Sequence, residues 1–137
     1  MKILVIQQKR IGDVLTSTIL SNNLKQKYPN AQVDYMCYAN CVDVLKNNPN
    51  IDNIIVLEEK VRKNYLSLFQ FIFKIRSTKY DAVIDAYSKL ETNLITLFSG
   101  AKYKISYKKV LFGAVLFFIA LKSMASKAAV SFVYFNF

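Results

Sequence analysis

Short β-rich runs alternate with longer helical stretches through the first 107 residues, and that order leaves few folds open. The run "KILVI", with Ile3 to Ile6 apolar throughout, is near-continuous rather than alternating, as parallel strands covered on both faces tend to be. Asp13 to Tyr28 reads as a helix, with Leu15, Ile19, Leu20, Leu24 and Tyr28 at helical spacings. Pro29 ends it by disfavouring helical backbone at Tyr28. Val33 to Tyr38 is a second strand, "CVDVLKNNPN" a short helix and Asn53 to Leu57 a third strand. Arg62 to Ser77 is expected to form one helix with Tyr65, Phe69, Ile72, Phe73 and Arg76 along one side, and its aromatic face to pack into the core. Tyr80 to Tyr87, Leu90 to Phe98 and Tyr103 to Tyr107 continue the pattern as strand, helix and strand, with Ser99-Gly100 as the helix stop. Right-handed crossovers make this an α/β fold, a Rossmann-like parallel sheet with helices on both faces. In such sheets ligands bind beyond the carboxyl ends of the strands.

Composition narrows the chemistry. The 137 residues suit one domain, and 53% hydrophobic content is ample for a core. The absence of histidine excludes Ser-His-Asp and Cys-His catalysis within the chain, so acid–base work falls to carboxylates, Lys or Tyr. Cys37 and Cys41 have no second ligand pair and make no zinc site. They read as two semi-buried thiols of a reducing cytoplasm, with a disulfide across four residues as the less motivated alternative. The net charge of +10 is uneven: residues 101–137 carry six Lys and no acid. Such a surplus favours an anionic partner, whether phosphorylated substrate, lipid headgroup or nucleic acid, or else serves as a solvated surface. No secretory signal is expected, and the apolar run Val110 to Leu121 is short of the ~20 residues of a spanning helix.

The turn after the first strand reads "KRIGDVL". Gly12 stands where a sharp turn calls for positive φ or for close approach of a ligand to the backbone. Asp13 opens the helix, where the positive end of the dipole favours its charge; on that footing alone it is a capping residue worth ~1 kcal/mol. Neither G-x-G-x-x-G nor G-x-x-x-x-G-K-[ST] is present.

The N-terminal arrangement as a whole resembles glycosyltransferase family 9, the ADP-heptose:lipopolysaccharide heptosyltransferases. Arg10, Gly12, Asp13 and Leu15 match the family's Arg-x-Gly-Asp-x-Leu-like turn. The resemblance continues in order through "NPNIDNIIVLE", "KYDAVIDAYSKLETNLITLFSGAK" and "KISY", over about residues 1–107.

The resemblance implies the N-terminal half of a GT-B glycosyltransferase: an acceptor-binding, Rossmann-like domain over residues 1–107, followed by a basic, apolar tail over 108–137. The donor-binding domain, which would hold a nucleotide sugar such as ADP-heptose, is expected to be missing. The chain is then inactive alone unless a second chain completes it. Asp13 would be the catalytic base, taking the proton of an acceptor hydroxyl as that oxygen attacks the anomeric carbon with inversion. The hydroxyl becomes more acidic as attack proceeds, so a weakly basic carboxylate suffices late in the step. Gly12 would admit the acceptor, and Arg10 would hold an acidic acceptor group or form a salt bridge to Asp13 or Asp85.

Lys60, Arg62 and Lys63 cluster where the third helix is expected to start and where cations oppose its dipole, unless an anion lies nearby. The phosphates and carboxylates of a lipid A or inner-core acceptor would supply one; a solvated basic loop is the alternative. Ser88 and Lys89, past the fourth strand, are further acceptor-side candidates. No cofactor, metal or nucleic acid is expected. The implied setting is cytoplasmic, with peripheral contact to the inner membrane. The competing reading is a non-enzymatic module that binds anionic membranes through Val110 to Leu121 and the flanking Lys108, Lys109, Lys122 and Lys127.

Overall fold

The computed structural model describes residues 1–8 and 10–106; the tail, including the Val110 to Leu121 segment, lies outside the described residues. Strand β1 (Lys2–Ile6) runs through the middle of a five-stranded, all-parallel sheet. On one side it pairs with β2 (Gln32–Cys37), which pairs with β3 (Asn53–Val56). On the other it pairs with β4 (Ala82–Asp85), which pairs with β5 (Tyr103–Ser106). The order β3-β2-β1-β4-β5 reverses direction between β1 and β4. A crevice opens at such a reversal, beyond the carboxyl ends of the two strands.

The unbroken apolar character of β1 follows from burial on both faces. Leu4 and Ile6 pack with Met36, Val83, Leu68, Ile72, Ile75 and Ile95, while Val5 packs with Val14, Val33, Tyr35, Cys37, Cys41 and Leu45. The first group takes its helical members from α4 (Tyr65–Ser77) and α5 (Leu90–Phe98). The second takes them from α1 (Ile11–Lys27), a short 3-10 turn (Ala39–Cys41) and α2 (Val42–Leu45). Successive strand residues thus serve two cores, as the pleat requires. Both cysteines are fully buried free thiols, more enclosed than the composition suggested, and no disulfide joins them.

Two local features differ from the sequence expectation. The helix expected over 62–77 is split into α3 (Glu59–Lys63) and α4, because Asn64 adopts extended backbone. Its Oδ1 accepts the N–H of Leu66 at 3.0 Å, which caps a new helix. The split reverses the dipole argument for Lys60, Arg62 and Lys63: they occupy the last turn of α3, where cations are favoured, and not the start of the long helix. It also sets the rotation of α4. Leu68, Ile72 and Ile75 face the sheet, and the aromatic side expected in the core is exposed at Tyr65, Phe69 and Phe73.

A buried polar cluster ties the amino-terminal edge of the sheet together. The Tyr80 hydroxyl donates to Asp34 Oδ2 at 2.6 Å, and Asn53 Nδ2 and Gln32 Nε2 donate to the same carboxylate. Asp34 is buried, so these donors offset the cost of removing its charge from water.

Candidate functional site

The carboxyl ends of β1 and β4 are locked side by side, with Ile6 opposite Asp85 and the Ala86 N–H donating to Ile6 O at 2.9 Å. From this edge the first loop leads to Arg10, the N-cap of α1, whose side chain makes no cap hydrogen bond. Gly12 is the second residue of that helix and Asp13 the third, so the sharp turn precedes the glycine. Gly12 has ordinary φ, and a Cβ there would meet nothing within 4 Å. The positive-φ argument for it therefore falls, while the open space in front of its backbone remains. Arg10, Gly12 and Asp13 are all exposed. No salt bridge joins Arg10 to Asp13 or Asp85, and among the described residues the Asp13 side chain has neither ion pair nor hydrogen bond. Its negative charge faces solvent at the positive end of a 17-residue helix.

The loop after β4 is built around Asp85. This buried carboxyl accepts the backbone N–H groups of Tyr87 at 3.0 Å and Ser88 at 2.8 Å through Oδ1. Burial raises its pKa, against the opposing effect of the Ser88 N–H, the Thr92 hydroxyl and the Tyr87 N–H. Ser88 sits at φ 54° with its hydroxyl turned inward, 2.9 Å from Ser106 Oγ and 3.3 Å from the Asp85 carbonyl. Ser88 thus shapes the loop from within. Lys89, the exposed N-cap of α5, donates its backbone N–H to Thr92 Oγ1.

The three cations of α3 divide. Lys60 pairs with Glu58 at 2.9 Å and Lys63 with Glu59 at 2.6 Å, both in exposed positions. Arg62 instead reaches toward the first turn of α5, with Nε 3.6 Å from Glu91 Oε1. Its guanidinium carbon lies 4.5 Å from the ring centroid of Tyr38, which meets Tyr87 edge-on at 6.1 Å. The structure therefore brings Arg62 to the β4 loop that bears Ser88 and Lys89, and leaves Lys60 and Lys63 outside that group. Burial pushes the Tyr38 phenol up, with Tyr87 adding to the effect and Arg62 opposing it.

None of the protein-family models matches the sequence. Lipopolysaccharide heptosyltransferase 3 of Escherichia coli aligns in two versions, 28% identical over 98 residues and 32% over 101, each covering 69% of this chain. A glycosyl transferase family 9 structure from Veillonella parvula superposes with a TM-score of 0.69 at 26% identity, covering 77% of this chain and 32% of that one. The ADP-heptose lipopolysaccharide heptosyltransferase II of E. coli gives 0.65 at 25% identity, covering 77% and 30%. Over about 70–77% of its length the chain is similar to glycosyltransferase family 9 proteins. It spans under a third of the length of these relatives, 29% and 28% of the two curated sequences.

Gln8 and Tyr38, not among the site residues expected from the sequence, lie at this edge together with Asp85. Gln8 is fully buried, and among the described residues neither end of its amide has a hydrogen-bond partner. Asp85 Oδ2 and the Tyr38 hydroxyl are buried without one as well. Unpartnered polar atoms beside the reversal of strand order are costly, and they concentrate where a fold is built for something other than stability. The signal for Gln8 was a glutamine pair directly after an apolar strand; nothing in the sequence distinguished Tyr38 from the other strand-end tyrosines.

Proposed function

We propose that residues 1–106 form the acceptor side of an inverting glycosyltransferase of the lipopolysaccharide heptosyltransferase type. The reaction moves a heptose or related sugar from a nucleotide sugar to a lipopolysaccharide core acceptor. The observation that supports this reading is Asp13: an exposed carboxylate without an ion pair among the described residues, on the first turn of α1, which follows the carboxyl end of β1, the strand paired with β4. A carboxylate placed there can take the proton of an acceptor hydroxyl as its oxygen attacks the anomeric carbon of the donor. The open face of Gly12 leaves room for the acceptor against the backbone. Arg10 would meet an acidic group of the acceptor, and Lys89 and Arg62 would bind its phosphates at the β4 side. Lys60 and Lys63 join them only by exchanging Glu58 and Glu59 for acceptor phosphate, a small cost for exposed pairs. The donor would be held by a second, donor-binding half, so turnover is expected to need that half supplied within a longer chain or by another one. The cytoplasmic face of the inner membrane is the matching location.

The test joins this chain to the donor-binding half of a family 9 relative and follows sugar transfer from ADP-heptose to an inner-core acceptor. Asp13→Asn should lower turnover about 10²–10⁴-fold while acceptor binding is retained. Near-normal turnover in that variant would remove Asp13 from the mechanism.

A further inference from the structure

Helix α4 carries an apolar surface that the fold does not use. Tyr65 is 73% exposed, Leu66 74%, Phe69 53% and Phe73 67%, while the sheet-facing side is filled by Leu68, Ile72 and Ile75. At 3.6 residues per turn the four exposed side chains share an arc of about 100° along the length of the helix. Two phenylalanines, a leucine and a tyrosine in one exposed strip are far more than the scattered apolar residues of an ordinary surface.

The charges around the strip indicate what covers it. Helix α4 holds Lys74 and Arg76 and no acid. Just before its first turn stand Lys60 and Lys63, whose only acidic partners among the described residues are Glu58 and Glu59, in exposed pairs that water already weakens. An aromatic and aliphatic face with cations at both ends and no free acid is the pattern of a helix that lies in a bilayer interface. There, rings and aliphatic chains enter the acyl boundary and lysines meet headgroup phosphates. Tyr65, at the amino end, suits the headgroup level. No helix among the described residues is long and apolar enough to cross a membrane, so the contact is one of lying on the surface.

We infer that the exposed Tyr65-Leu66-Phe69-Phe73 face of α4 docks on the surface of an anionic lipid bilayer, with Lys60 and Lys63 against the headgroups. The assignment rests on α4 alone and does not need Asp13 or sugar transfer. It adds a reason for the position of α3. With α4 in the interface, the cations at its amino end sit at headgroup height, where the anionic part of a membrane-borne acceptor lies.

The test exploits the complete absence of Trp from the sequence. In the full 137-residue chain, Phe73→Trp introduces a single indole whose emission reports this helix and no other surface. With vesicles of phosphatidylcholine and phosphatidylglycerol, the emission should shift to the blue and be quenched by brominated acyl chains. Phosphatidylcholine alone should give a weaker response, and high salt should reduce the anionic one. Flotation of the Phe69→Gln/Phe73→Gln double variant, its fold checked by circular dichroism, should show binding weakened at least about tenfold. An indole that keeps a water-exposed spectrum overturns the proposal, even if the chain floats, because another segment then makes the contact. Undiminished flotation of the double variant overturns it equally. A blue shift obtained only with a protein fraction, and with no vesicle, would assign the face to a protein partner instead.

Discussion

Asp85 Oδ1 accepts the backbone N–H of Ser88 at 2.8 Å, while Oδ2 of the same buried carboxylate has no partner at hydrogen-bond distance among the described residues, the Thr92 hydroxyl acting on it only from farther off. One oxygen therefore holds the β4 loop and the other is a cost. Burial raises the folded pKa above the unfolded value of about 4, so between those two values the folded chain holds more protons than the unfolded one. Stability from this group falls as pH rises through that window. Asp85→Asn keeps the acceptor at Oδ1 and removes the charge. It should be at least as stable as the parent at pH 7 in urea melts, and its advantage should vanish below about pH 4. Asp85→Ala loses the bonds to Tyr87 and Ser88 and should cost about 1–3 kcal/mol. An Asn variant as damaged as the Ala variant at neutral pH would mean that the charge itself is needed.

The bond from Tyr80 to Asp34 invites a different substitution. Both groups are buried, the distance is 2.6 Å, and the acceptor is a carboxylate, so burial first and Asp34 second raise the phenol's pKa. Tyr80→Phe keeps the ring and removes one of three donors to Asp34. A loss of about 1–2 kcal/mol in the urea midpoint, with unchanged slope, is expected. No loss would show that Gln32 and Asn53 satisfy the carboxylate without help.

Acid sensitivity should come in part from Asp52. Lys25 Nζ lies 2.7 Å from its Oδ2, and the Val33 N–H donates to the same oxygen at 2.7 Å. Lys25 foremost, with the Val33 N–H, holds the carboxyl below the usual range against the opposing effect of burial. The folded pKa is thus depressed: the contribution is complete above the unfolded value of about 4 and is lost as pH falls through the folded one. The pair is partly exposed and screened, which limits it to about 0.5–1 kcal/mol at pH 7. Comparing the parent with Asp52→Asn across pH 7 to pH 2 should show a difference that shrinks toward the acid end. A difference that stays constant would assign the effect to geometry rather than charge.

These features differ in how far the sequence foretold them. The parallel sheet was legible because β1 is buried on both faces, and its residues Ile3 to Ile6 advertise that without a break. The Gly-Asp turn was legible as a motif, and Asp13 falls in the first turn of α1. The break at Asn64 was not. The run from Arg62 to Ser77 is periodic throughout, and only a side-chain cap on Leu66 N, worth about 1 kcal/mol, separates one helix from two. That small difference decided which side of α4 met the sheet, and hence that Phe69 and Phe73 face out. Gln8 and Asp85 were illegible for another reason: whether a polar atom finds a partner depends on residues far away in the chain.

The last turn of α4 offers a gain rather than a loss. Lys79 follows the C-cap Thr78 with φ 57°, and its N–H donates to Arg76 O at 3.2 Å. A left-handed residue just past a helix is the position where glycine is favoured, because a Cβ there crowds the neighbouring carbonyl by roughly 1–2 kcal/mol. The Lys79 side chain is exposed, and among the described residues it makes no hydrogen bond or ion pair that would offset this. Lys79→Gly also loosens the unfolded chain, so part of the relief is cancelled. The net expectation is a gain of about 0.5–1 kcal/mol, read as a higher urea midpoint. Lys79→Ala separates the causes: it removes the long side chain but keeps the Cβ, and should give no such gain. If alanine stabilises as much as glycine, relief of the lysine's charge beside Lys74 and Arg76 is the cause and not backbone strain.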